Sequence, residues 1–302
     1  MAIASFLKGI IIGVAAIIPG VSGSVFAVIT GVYDELIYFM GRLTKDFRRA
    51  ALSLLPIALG AAAGVLLGAN PILELCEKYP VYCYSFFIGV MLASILPTIR
   101  KIKQLGKPAF FEIGVALLCF CFVILLRVIA HMSGAGEFVS IPYLSGVSDF
   151  FALLFSGFIS VGLMTLPGVS GSVILLVLGQ YGTVYKAAGS PARLVRAIIE
   201  GEQSSASAAL GSAALLIPFS VGAVMGVFFS SKLISKLIKE RPKSVYCSVI
   251  GFVAASIVTL GLDCLIPAAK NYIGNGYFIY FMILAFTLSG SFLTLAFCSD
   301  KS

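Results

Sequence analysis

Six residues occur twice in this chain, Pro19-Gly20-Val21-Ser22-Gly23-Ser24 and Pro167-Gly168-Val169-Ser170-Gly171-Ser172, each time inside an apolar stretch. Proline and glycine stop a helix, and the Ser-Gly-Ser that follows presents hydroxyls and unshielded backbone amides. In a membrane such a break is tolerated only where it is buried in protein or lines a cavity. The surrounding chain has membrane composition: 60% of its 302 residues are hydrophobic and 11% are charged, against roughly a quarter charged in soluble domains. The excess of 21 Lys and Arg over 13 Asp and Glu then belongs to cytoplasmic loops, not to a nucleic-acid partner.

Ser5 to Ile18 reads as one apolar helical arm and Val25 to Met40 as a second. Each is shorter than the ~20 residues a spanning helix needs. Residues 5–40 are therefore expected to form a re-entrant hairpin with its tip at membrane depth. Residues 2–18 have the length of a signal peptide but no basic residue before Ser5, and their pattern returns near Phe150, so they are read as part of the fold. Spans are expected at 50–69, 82–99 and 109–130, with a polar turn at 70–80 and Arg100, Lys101, Lys103 and Lys107 after the second. A linker at 132–149 carries Glu137 and Asp149 but no Lys or Arg. Residues 150–188 repeat the hairpin, and spans at 208–230, 246–262 and 277–297 follow, with a basic loop at Lys232, Lys236 and Lys239.

The duplication exceeds the hexapeptide. At the offset of 148 residues that brings 19 onto 167, Gly31-Val32-Tyr33 meets Gly179-Gln180-Tyr181. At 162, Pro56 meets Pro218, Gly60 meets Gly222, Gly64 meets Gly226, Gly89 meets Gly251 and Ser94 meets Ser256. Residues 1–131 and 150–302 thus read as two halves on one plan, each a hairpin plus three transmembrane helices. An odd number of spans between the hairpins turns the second half upside down. The loop charges agree: the basic segments near Arg49, Lys103 and Lys239 share one side, and the linker without Lys or Arg takes the other. The expected fold is an all-α polytopic membrane protein with an inverted-topology repeat and both termini cytoplasmic.

Broken helices that meet near the midplane of an inverted repeat build substrate sites in secondary transporters. A helix that starts at Ser22 or Ser24, or at Ser170 or Ser172, offers unpaired N–H groups to an anion such as a phosphate or carboxylate. The candidate binding residues are Gly20, Val21, Ser22, Gly23 and Ser24 with Gly168, Val169, Ser170, Gly171 and Ser172. Glycine packing and helix kinking would explain the Pro and Gly, but not two serines retained in both copies. Lys8 and Arg127 could snorkel to the interfaces or collect a phosphate headgroup. Asp34 and Glu35 have no acidic counterpart in the second half, and are read as a solvated helix end or as a site of proton coupling. The seven cysteines and single His131 show no metal-type spacing, so no metal or cofactor is expected.

Lys8-Gly9, the spacing to Pro19-Gly20-Val21-Ser22-Gly23-Ser24 and the Gly31-Val32-Tyr33 beyond it resemble the signature of a prokaryotic integral membrane family associated with polyprenyl-phosphate translocation. Leu166 to Ser172 and Gly179-Gln180-Tyr181 resemble its second motif. The first motif of that family commonly ends Gly-Gly-Thr; here Gly23-Ser24 stands instead, with the hydroxyl kept. The resemblance implies a transporter in the plasma membrane, not an enzyme. Its substrate would be undecaprenyl phosphate, the lipid carrier of cell-wall precursors, recycled from the outer to the inner leaflet. The phosphate would lie at the tips while the prenyl chain stays in the lipid.

Two other functions fit the pattern less closely. Membrane lipid pyrophosphate phosphatases also carry inverted hairpins with a Pro-Gly-x-Ser motif, but theirs includes an Arg, with a Glu and a His nearby. These tips hold only Gly, Val and Ser beside the Pro, without the charge and activated nucleophile that phosphoryl transfer needs. A transporter of a small soluble anion would use the same tips. No Walker-type loop is present, so ATP is not the direct driver.

Overall fold

In the computed structural model the described residues are 2–17, 22–42, 46–132, 146–200, 203–270 and 277–299, and among them every regular element is helical. Helix α1 (Ala2–Ile17) leads to two short helices, α2 (Gly23–Ile29) and α3 (Tyr33–Met40). The second copy has α7 (Val147–Met164), α8 (Gly171–Val177) and α9 (Tyr181–Ala188), and the bounds of α8 and α9 are those of α2 and α3 moved by 148 residues.

Residues 25–40 were expected to form one arm, yet α2 and α3 are separate and bent by 117°. The cause is Gly31, which takes φ 70°, a left-handed conformation that glycine adopts without steric penalty. Val32 N–H donates to the Ala27 carbonyl at 2.9 Å and Gly31 N–H to Val28 at 3.0 Å, the paired bonds of a Schellman helix stop. Gly179 repeats this at φ 68°, with Gln180 bonded to Leu175 and Gly179 to Leu176.

The remaining helices are α4 (Phe47–Lys78), α5 (Pro80–Gln104), α6 (Phe110–Met132), α10 (Ser190–Glu200), α11 (Gln203–Ala214), α12 (Leu216–Glu240) and α13 (Pro242–Leu260). A π turn (Gly261–Leu265), α14 (Ile266–Lys270) and α15 (Tyr277–Ser299) close the chain. Two expected loops are helical instead. α4 continues through 70–78, because Ile72 and the buried Cys76 are four apart and both turn inward. Lys232, Lys236 and Lys239 belong to the end of α12, where Ile234 and Ile238 keep the same apolar spacing and pack inward.

Among the described residues seven helical segments are long and apolar enough to cross a bilayer, from Phe47–Val65 to Ile279–Ala296, or eight if α2 and α3 count as one broken span. The chain is a multi-pass membrane protein. α1, at 16 residues, falls short of a span, whereas α7, at 18 residues, reaches the lower end of the range expected of one.

The helices form two compact units, 1–124 with 166–169 and 231–302, and 125–165 with 170–230. In the first, Val25, Phe26 and Ile29 of α2 pack against Val90 and Met91 of α5 and Val249 and Val253 of α13. Gly9 of α1 faces Ile57 of α4, and Gly60 and Gly64 of α4 face Phe6 and Ile10, so closely that a Cβ on any of them would strike backbone. In the second, Gly157 faces Phe219, Gly222 faces Leu154 and Gly226 faces Phe158, the same pairs after shifts of 148 and 162. Small residues at such crossings let membrane helices approach backbone to backbone. The equivalent glycines Gly89 and Gly251 face Thr287 of α15 and Ala116 of α6. The third helix of each sequence half therefore packs on the second helix of the other.

Candidate functional site

Around the first motif, Pro19, Gly20 and Val21 lie outside the described residues. Ser22 is the N-cap of α2, in extended backbone, and is 3% exposed. Its hydroxyl does not cap the helix. It lies 2.6 Å from the Ser24 hydroxyl, and Ser24 in turn donates to the Leu166 carbonyl at 3.1 Å. A serine has one hydroxyl proton, so with that of Ser24 on Leu166, Ser22 is the donor to Ser24. The two serines form a relay that ties the first motif to the backbone entering the second.

That backbone is held from another side as well. Ser256 of α13 donates to the Gly168 carbonyl at 2.5 Å and lies 3.0 Å from the Phe252 carbonyl. Gly168 has φ 88°, and a Cβ there would come within 2.6 Å of the Phe252 carbonyl oxygen and 2.8 Å of Ser256 Oγ. Only glycine fits. Val169 is buried, and Ser170 caps α8 with nearly the same backbone angles as Ser22, again without a side-chain cap bond. Gly171 faces Met164, and the side chain of Ser172 lies outside the described set. Ser256 was missed as a site residue. Its retention opposite Ser94 at the 162 offset was the available signal, though Ser94 bonds locally to Met91.

The ionisable candidates separate. Asp34 is not merely a solvated helix end: its Oδ2 takes Lys101 Nζ of α5 at 2.5 Å and Tyr246 Oη of α13 at 3.2 Å. Lys101 also lies 4.9 Å from the centre of the Tyr246 ring, a cation–π distance. These groups border a cavity of about 290 Å³ that Tyr33 and Arg100 also line. The Tyr33 hydroxyl and Asp34 Oδ1 are buried there without a hydrogen-bond partner among the described residues. Glu35 is exposed. Lys8 is half-buried on α1 and Arg127 half-buried late in α6. Among the described residues no group of three or more His, Cys, Asp and Glu side chains gathers as a metal would require.

Residues 12–262 match the model of the VCA0040-like, undecaprenyl phosphate translocase-like family. The chain belongs to this family. It is 28% identical over 196 residues to a polyprenyl-phosphate transporter of Vibrio cholerae serotype O1, a match covering 60% of this chain and 59% of that protein. It is 26% identical over 254 residues to a polyprenyl-phosphate transporter of Staphylococcus aureus, covering 84% of each. The family and these relatives are described as transporters, not as enzymes. No solved structure matches the chain.

Proposed function

We propose that this protein carries a polyprenyl phosphate, undecaprenyl phosphate foremost, from the outer to the inner leaflet of a prokaryotic plasma membrane, returning the carrier to cell-wall synthesis. The observation that carries the reading is the Ser22–Ser24–Leu166 relay, which joins the two motif copies in a multi-pass membrane protein. The names of the relatives point to the same lipid. In this reading the halves are inverted repeats, the hairpins are re-entrant, and both termini are cytoplasmic.

The tips supply backbone N–H groups and serine hydroxyls to the phosphate, from Gly20, Val21, Ser22, Gly23 and Ser24 on one side and Gly168 to Ser172 on the other. Because the relay already uses both serine protons of the first tip, a hydroxyl of that tip donates to the phosphate only by giving up its relay bond, Ser22 to Ser24 or Ser24 to Leu166. The net value of such a neutral hydrogen bond is about 1 kcal/mol, small enough for a ligand to exchange. Lys8 and Arg127 serve the headgroup at the two interfaces. Asp34, held by Lys101 and Tyr246, is the coupling candidate, with Glu35 secondary.

The test is purified protein in liposomes, with polyprenyl phosphate measured by leaflet and released phosphate measured in parallel. Leaflet exchange of the lipid without phosphate release is expected. Phosphate release would return the phosphatase reading. Uptake of a soluble anion by a protein inert to the lipid would sink the lipid assignment. Gly23→Leu, whose added bulk meets the Ile12 carbonyl and Ala16, is expected to abolish exchange while insertion persists.

A further inference from the structure

An apolar groove of about 780 Å³ lies among α1, α4, α5 and α15, within the ~300–1,000 Å³ range of ligand sites. Among the described residues no charged side chain lines it. One part of it is lined by Ala15 on the last turns of α1 and by Phe26 on α2, four residues after Ser22. Another part is at Tyr79 and Tyr82, where α4 passes into α5. Along α15 it runs from Met282 to Ser289, about 10 Å at the helical rise. A trough without charge that leads away from a polar helix break fits a molecule with an anionic head and a hydrocarbon tail.

We propose that this groove binds the isoprene units nearest the phosphate of a polyprenyl phosphate; this rests on the lipid-phosphate reading above. The substrate tail does not stay wholly in the bulk lipid. Continuity with the tip selects the tail of the same molecule over a second protein copy. The wall selects its chemistry. The rings of Tyr82 and Phe286 are 5.0 Å apart, those of Phe86 and Phe87 are 5.6 Å apart and edge-to-face, and Phe26 completes the end beside the tip. Each isoprene unit brings a double bond whose π electrons meet ring edges, and a methyl branch that fills a wide trough. A saturated, unbranched acyl chain brings neither. Phe26 belongs both to the groove and to the core that seats α2, so an occupied groove bears on the helix that carries Ser22.

The test is photolabelling of the full-length protein in phosphatidylglycerol-containing vesicles. The probe is a short-chain prenyl phosphate with a diazirine on its first isoprene unit. Label on Phe86, Phe87 or Phe286, displaced by unlabelled prenyl phosphate and not by the same excess of phosphatidylglycerol, is the expected result. Ser289→Trp, which fills the groove from an exposed position, should lower that label about tenfold, the loss typical of a blocked aromatic anchor. Phe286→Ala should do the same, with monodispersity on gel filtration as the folding control for both. Label outside the groove, equal displacement by phosphatidylglycerol, or undiminished label in a folded Ser289→Trp protein would overturn the proposal. A prenyl alcohol with the same diazirine separates the two readings: groove labelling as strong as the phosphate's would keep the tail site and refute phosphate binding at the tip.

Discussion

At the scale of single residues, two left-handed glycines of the second half, Gly168 and Gly179, have different surroundings and so different expected sensitivities. Gly179 at φ 68° has nothing within 4 Å of an added Cβ, whereas Gly168 at φ 88° has the Phe252 carbonyl and Ser256 in the way. Gly179→Ala should cost only the left-handed penalty of about 1–2 kcal/mol. Gly168→Ala should cost that and a displaced backbone, and so lower the melting temperature in detergent further and suppress lipid exchange. Equal melting temperatures would show that the close approach at Gly168 is slack. Ser24→Ala and Ser256→Ala each remove one bond to the 166–168 backbone, worth about 1 kcal/mol. Changes in exchange rate larger than changes in stability are expected for Ser24, because its hydroxyl is also offered to the phosphate. The Pro-Gly break and the paired serines were legible in the sequence; the partners of those serines were not, because Leu166 lies 142 residues from Ser24 and no local pattern encodes it.

At the scale of elements, α3 is tied to α5 and α13 through Asp34, Lys101 and Tyr246. Both charged side chains are more than a third exposed, at 40% and 47%, so the pair belongs with surface ion pairs worth about 0.2–1 kcal/mol. Its importance lies in which helices it joins. If the pair acts as a latch, Asp34→Lys and Lys101→Asp should each impair exchange and the double reversal should restore it. If Asp34 instead carries a proton, the reversal should fail to rescue, and Asp34→Asn should flatten the pH dependence of exchange. Failure of rescue is the outcome expected of a coupling residue, since Asp34 Oδ1 is buried without a hydrogen-bond partner among the described residues. The sequence revealed the Gly31 and Gly179 matches, but not that each ends a two-turn helix. Apolar periodicity alone runs on through Thr30 and Leu178, and only the backbone bonds at Val32 and Gln180 stop it.

At the scale of the molecule, the exchange of third helices between halves predicts how the chain can be divided. Residues 1–131 alone leave Gly89 without Thr287, and residues 150–302 alone leave Gly251 without Ala116. Each fragment should aggregate when expressed singly, and the two should copurify when expressed together. Stable single fragments would mean that each half can close on its own third helix. Reporter fusions at either terminus should read cytoplasmic; a split result would refute the inverted arrangement.

Hydropathy, glycine spacing and the duplicated motif determined from the sequence alone that this is a helical membrane chain in which one motif and the glycines that follow it recur. These are local properties: a lipid solvent demands satisfied backbone and apolar surface, and close helix crossings demand small residues. Tertiary structure decided which helices of the two halves meet, that Ser24 and Ser256 hold the backbone of the second motif, and that Asp34 faces Lys101. Small-residue faces are nearly interchangeable between helices, so their pairing follows from the joint packing of many segments, which no stretch of sequence contains.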